Sequence, residues 1–150
     1  MMNRKRLYLI AAALLTVMAS SAPAVAAGSP QLVLQMNHGL QAGAVRDGTK
    51  LGRGTLVSYD IHTGFQLRSD QAASGQQGGR YVLTGQQNPA HQLRVRLVPQ
   101  QQVVTEMADM QVITVHTGED RMVFDILADG DQRVKADTYS LNIAGQVVTQ

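Results

Sequence analysis

Three sets of residues in this 150-residue chain have side chains of the types that chemistry uses. Ser58, Asp60 and His62 contain the nucleophile, acid and base of a hydrolytic triad, and strand alternation would set all three on one face. A working triad needs the imidazole between the hydroxyl and the carboxylate, with both hydrogen bonds made. Here Asp60 stands in the middle, so solvent-facing polar residues describe the run better. Met36 and His38, with Met107 and Met110, offer the soft and imidazole donors that suit copper. Nothing in the spacing brings His62 or His116 to them, and core methionine with exposed histidine is the expectation. Asp125, Asp129 and Asp131 lack the further oxygen ligands and closing Glu of a calcium loop, and Asp129-Gly130 reads first as a turn. There is no phosphate-cradling glycine loop and no dinucleotide fingerprint. Catalytic, metal and cofactor sites are therefore all expected to be none, which leaves interaction.

The elements that would carry an interaction are strands. Leu32, Leu34 and Met36 alternate with Val33 and Gln35, then Asn37 to Gly48 reads as loop and turn. Leu51 to Ile61 is a second strand in which Gly52 and Gly54 predict a bulge or a close backbone approach. Phe65 to Leu67 starts another, and the Gly-, Ser- and Gln-rich stretch from Asp70 to Gly79 is a mobile-loop candidate. Tyr81 to Leu83 is short. The clearest alternation places Leu93, Val95 and Leu97 inward and Arg94 and Arg96 outward, ending at Pro99. Val103-Val104 and Val112 to His116 complete the middle of the chain. Regular short strands without a convincing helix outside the leader predict one all-β domain, a sandwich of immunoglobulin-like type.

The N-terminus belongs to export. Arg4-Lys5-Arg6, the apolar stretch from Leu7 to Ala19 and Ala24-Val25-Ala26 make a basic, apolar and small-residue series, so residues 1–27 are expected to be a cleaved signal peptide and 28–150 the domain. The apolar stretch is short for a membrane span. The chain has 13 Lys and Arg against 11 Asp and Glu; without the leader ten basic residues remain, for a net charge of −1. That removes the main sequence-level support for nucleic-acid binding. Cysteine is absent although the compartment would permit disulfides, so stability must come from packing, a partner or both.

The chain's end is the informative part. Met122, Phe124 and Ile126 alternate with Val123, Asp125 and Leu127, a turn follows at Asp129-Gly130, and Tyr139, Leu141 and Ile143 alternate with Ser140, Asn142 and Ala144. Little sequence is left to pair with the far edge of that last strand. One reading is an ordinary edge strand. The other is a sandwich one strand short, whose groove, walled by Tyr139, Leu141, Ile143 and Val147, takes a strand from another polypeptide.

His62-Thr63-Gly64-Phe65, Arg46-Asp47-Gly48, Leu93-Arg94-Val95-Arg96 and Val123 to Gly130 followed by Tyr139 resemble, in order and spacing, the AfaD-like invasin family, the D-type tip subunits of Afa/Dr adhesins. The resemblance runs from Leu32 to Val148. It implies an incomplete immunoglobulin-like sandwich completed by donor-strand complementation, a periplasmic chaperone and an outer-membrane usher as partners, and a strand donated by the neighbouring major pilin. It also implies a fibre tip at the cell surface and host-cell attachment or entry, with integrins as a receptor class. The family's cysteine pair falls on Ser58 and Gln146 here; a disulfide of that kind contributes about 2 to 5 kcal/mol, a share shifted onto the inserted strand. Few residues separate the cleavage point from Leu32, so the subunit is expected to accept a strand and give none. Two other readings stay open: Leu32 to Met36 as the donor itself, and a self-sufficient periplasmic domain binding a metal or small ligand.

Overall fold

The computed structural model describes residues 15–18, 30–69, 71–74, 79–101, 103–104 and 112–149. Most of the expected leader, Met107, Met110 and much of the expected Asp70 to Gly79 loop lie outside them. The described chain is built of strands. β1 (Leu15–Met18) falls within the expected leader and β2 (Gln31–Met36) opens the sandwich. β3 (Gly43–Val45), β4 (Lys50–Val57), β5 (Gly64–Arg68) and β6 (Ala72–Ala73) follow. Then come β7 (Arg80–Thr84), β8 (Gln92–Pro99), β9 (Val103–Val104) and β10 (Val112–His116). β11 (Arg121–Ala128), β12 (Gln132–Val134), β13 (Tyr139–Asn142) and β14 (Ala144–Val148) end the chain.

Two antiparallel sheets face each other, one in the order β2-β4-β11-β8-β7-β6 and one in the order β14-β5-β10-β9. Period-2 alternation decides which side chains meet between them. Met122, Phe124, Ile126 and Ala128 of β11 and Leu93, Val95 and Leu97 of β8 point inward from the larger sheet, and Phe65 and Leu67 of β5 and Val115 of β10 from the smaller. Most of these are fully buried, each aliphatic or aromatic side chain contributing about 1.5 to 3 kcal/mol by leaving water.

The glycine expectation is met in both of its forms. Phe124 pairs directly with Gly54, and a Cβ on Gly54 would sit 2.1 Å from the Phe124 ring, so the aromatic ring occupies the space a side chain would need. Further along, the register slips by a residue between Ile126↔Gly52 and Leu127↔Lys50, which leaves Leu51 beside Gly52 as the extra residue of a bulge.

The structure adds strands inside stretches that read as loop. β3 falls within the expected 37–48 loop and pairs with β12, a three-residue ladder from Gln132↔Val45 to Val134↔Gly43. The end of the chain is also two strands and not one: β13 stops at Asn142, Ile143 turns the backbone, and β14 crosses to pair with β5.

Candidate strand-acceptor groove

β13 begins at a corner. Gly85 bridges Tyr139, the Gln86 amide donates to the Thr138 carbonyl at 2.9 Å, and the Tyr139 hydroxyl donates to the Lys135 carbonyl at 2.6 Å. A tyrosine tied back to the backbone just upstream is a corner device of immunoglobulin-like sandwiches. Burial, with the charge of Asp137 adding to it, pushes the Tyr139 hydroxyl from 10.0 up to about 12. A raised pKa means stability that is complete below pH 10 and is lost as pH rises toward 12. Tyr139→Phe should cost about 1 kcal/mol from the lost hydrogen bond and flatten that alkaline decline, read by chemical denaturation at pH 8 and pH 11.

From this corner Tyr139, Leu141 and Ile143 point into the core, each at most 1% exposed, while Ser140 and Asn142 are half-buried. The opposite edge of β13 pairs in parallel with β1, from Leu15↔Tyr139 to Met18↔Asn142, and β1 also lies beside β2. Among the described residues β2 in turn is bonded only to β4, from Gln31↔Val57 to Met36↔Gly52. Its inward side chains Leu32, Leu34 and Met36 stay half-buried, in contrast to the sealed interior faces of β8 and β11. Val147 belongs with them: it sits on β14, opposite Phe65, half-buried against the core, and β14 also approaches β2. Thus three of the four expected wall residues share the β13 side, and Val147 lies across from them in the smaller sheet.

Ser58 and Gln146 have separate surroundings. Ser58 is buried just after β4, its amide donating to the Asp120 carbonyl at 2.8 Å and its hydroxyl accepting the Asp60 amide at 3.3 Å. Gln146 is exposed on β14 and donates to the Gln66 side chain at 2.6 Å. The inward position of β14 next to β4 is Gly145, where a Cβ would meet Leu56 Cδ1 at 2.7 Å.

The other chemistry-bearing residues are committed to structure. His62 is buried with Nδ1 2.6 Å from the Asp60 carbonyl and Nε2 2.7 Å from the Glu119 carbonyl, so its ring ties two loops together and meets no Ser or Asp side chain in triad fashion. Asp125 pairs with Arg53 at 3.1 Å and Lys50 at 3.4 Å. Asp129 pairs with Arg80 at 2.6 Å and Arg96 at 3.2 Å, and Arg96 reaches Asp47 at 2.5 Å. The Arg96 hydrogen bond, helped by the Gly130 amide, lowers the Asp47 carboxyl below its ordinary value. Asp131 accepts the Asp47 amide at 2.8 Å. Arg46-Asp47-Gly48 is therefore clamped to the turn after β11. Among the described residues no group of three or more His, Cys, Asp or Glu could hold a metal ion.

A model of the Enterobacteria AfaD invasin protein family matches residues 41–145. The chain belongs to that family. It is 26% identical to Protein AfaD of Escherichia coli over 104 residues, 69% of this chain and 70% of the relative. The crystal structure of the Salmonella SafD adhesin superposes with a TM-score of 0.76 at 30% identity, covering 81% of this chain and 86% of SafD. The Escherichia coli Hda pilus minor tip subunit, HdaB, gives 0.74 at 27%, covering 82% and 85%. The fold is accordingly the immunoglobulin-like sandwich of fimbrial adhesin subunits, in which the protein is structural and adhesive and not an enzyme. Such subunits pass through the periplasm to the cell surface, and chaperone, usher and other pilins are the partners that this route implies.

Sequence reasoning passed over Asp137, the carboxylate that fixes the corner ahead of β13. It accepts hydrogen bonds from the amides of Gln87, Asn88 and Thr138 and stands 2.9 Å from His91 Nδ1, with its side chain fully buried. A lone acid in Lys135-Ala136-Asp137-Thr138 reads as turn composition; apart from the adjacent Thr138 amide, its partners Gln87, Asn88 and His91 lie some fifty positions upstream.

Proposed function

We propose that the chain is the minor subunit at the tip of a chaperone–usher fimbria and that it completes its fold by accepting a strand along β13. The observation that carries this reading is the parallel pairing of β13 with β1, a segment of the expected leader. An edge that binds a foreign stretch of backbone through main-chain hydrogen bonds is the physical requirement of strand addition. Cleavage of residues 1–27 removes β1 and leaves the edge of β13 and the half-buried Leu32, Leu34, Met36 and Val147 to a donor. The chaperone supplies that strand first and the neighbouring major pilin afterwards. At the tip the subunit acts in host-cell attachment or entry, and integrins are the receptor class that family membership suggests.

Co-expressing the full chain with a fimbrial chaperone should yield the mature domain as a one-to-one complex in the periplasm. Amide hydrogen exchange reads the groove directly. The Asn142 amide donates to the Gln71 side chain at 3.1 Å, so alternate amides, those of Tyr139 and Leu141, face the β1 edge; they should be protected in the complex and exchange freely in leaderless chain prepared without chaperone. Full protection of those amides in the chaperone-free mature chain would overturn the proposal.

A further inference from the structure

A second concavity lies beside β3 and β12. It is a cavity of about 290 Å³ walled by Leu40, Val45, Leu51, Leu93 and Val134, and it reaches Tyr139 at its inner end. Protein interiors pack to the density of organic crystals, so space of this size against the buried Leu51, Leu93 and Val134 is unfilled apolar surface. The polar groups near it divide into two kinds. The Tyr139 hydroxyl already donates to the Lys135 carbonyl, and the Thr49 hydroxyl donates to the Arg46 carbonyl at 2.7 Å. Arg46 and Lys135 are exposed lining residues, and among the described residues neither has a carboxylate within ion-pair distance. The acid beside Arg46, Asp47, is engaged by Arg96 and the Gly130 amide.

We infer that this cavity is a binding site for a small anionic amphiphile, an unbranched carboxylate whose apolar body enters between β3, β12 and β8 while its head meets Arg46 and Lys135. The volume is that of roughly ten water molecules, which suits about eight to ten carbon atoms. Apolar walls with a few polar groups placed to fix orientation are the ordinary composition of small-ligand sites. Two cations and no free acid at the mouth select the sign of the head.

Sodium octanoate, titrated into the full chain and followed by methyl NMR, is the probe. Saturable shifts are expected at Val45, Leu51, Leu93 and Val134, with octylammonium binding at least about tenfold more weakly. Reversing both surface charges, Arg46→Glu with Lys135→Glu, should erase that preference while leaving the remaining methyl spectrum unchanged. A parallel arm with phosphatidylglycerol vesicles separates a free carboxylate from a bilayer lipid, and no co-sedimentation is expected. The inference is overturned by the absence of saturable shifts at these methyls, by equal affinity for the two head groups, by indifference to the charge reversal, or by vesicle binding without an octanoate response.

Discussion

A peptide with alternating apolar residues, added to the leaderless chain, should raise its unfolding midpoint by about 15 °C or more. The groove has two kinds of unmet demand. One backbone edge of β13 pairs with β1 in the full chain and, among the described residues, has no other strand bonded along it. Leu32, Leu34, Met36 and Val147 stay half-buried beside the core. Closing four apolar positions is worth at most about 6 to 12 kcal/mol at roughly 1.5 to 3 kcal/mol each, and ordering a free peptide removes a substantial part of that. A net gain of about 4 kcal/mol is comparable with the whole stability of a small domain, and at about 4 °C per kcal/mol it gives the stated shift. Calorimetry at saturating peptide reads it, and a peptide with serine at the alternate apolar positions should leave the midpoint unmoved. A leaderless chain that already melts high and ignores the peptide would instead be a self-sufficient domain, and strand acceptance would be wrong for it.

The parts of this architecture that sequence makes legible are those where one strand carries its own pattern. Leu93 to Leu97 and Met122 to Ala128 alternate cleanly because both strands separate the core from a polar face, and both lie at the centre of the larger sheet. Gly52 and Gly54 announce a close approach because glycine inside a strand has few other uses. β3 and β12 stay hidden, since three residues are too few for a period and each is paired with the other, nearly ninety positions away. The break at Ile143 is masked by parity. Tyr139, Leu141, Ile143 and Val147 are all odd-numbered, so a single strand and two strands joined at Ile143 put the same residues inward. Gly145 is the available signal: it is the inward position of β14 next to β4, where Leu56 leaves no room for a side chain.

Asp137→Ala should destabilise the domain by about 3 kcal/mol or more, because it strips the acceptor from three amides and an imidazole at once. Oδ1 takes the amides of Gln87 at 2.9 Å and Thr138 at 2.6 Å, and Oδ2 takes the Asn88 amide at 3.2 Å and faces His91 Nδ1 at 2.9 Å. Asp137→Asn keeps one acceptor oxygen and turns an NH₂ toward donors, so it should fall between wild type and Ala. Gly85→Ala reaches the same site from the other side, since a Cβ there would lie 2.1 Å from Oδ2 and would force the carboxylate out. Burial alone would raise the Asp137 pKa, but the hydrogen bonds from Gln87, His91, Thr138 and Asn88 outweigh it and hold the carboxyl below 3.8. A lowered folded pKa gives stability that is complete above the unfolded value and is lost as pH falls through the folded one. The gap between wild type and Asp137→Ala, measured by denaturant titration, should therefore be constant above about pH 5 and narrow below 3.8. Because this carboxylate pins the turn that launches Tyr139, the same variant should also lose much of its peptide-induced midpoint shift. A variant that is destabilised yet responds fully to the peptide would separate the corner from the acceptor edge.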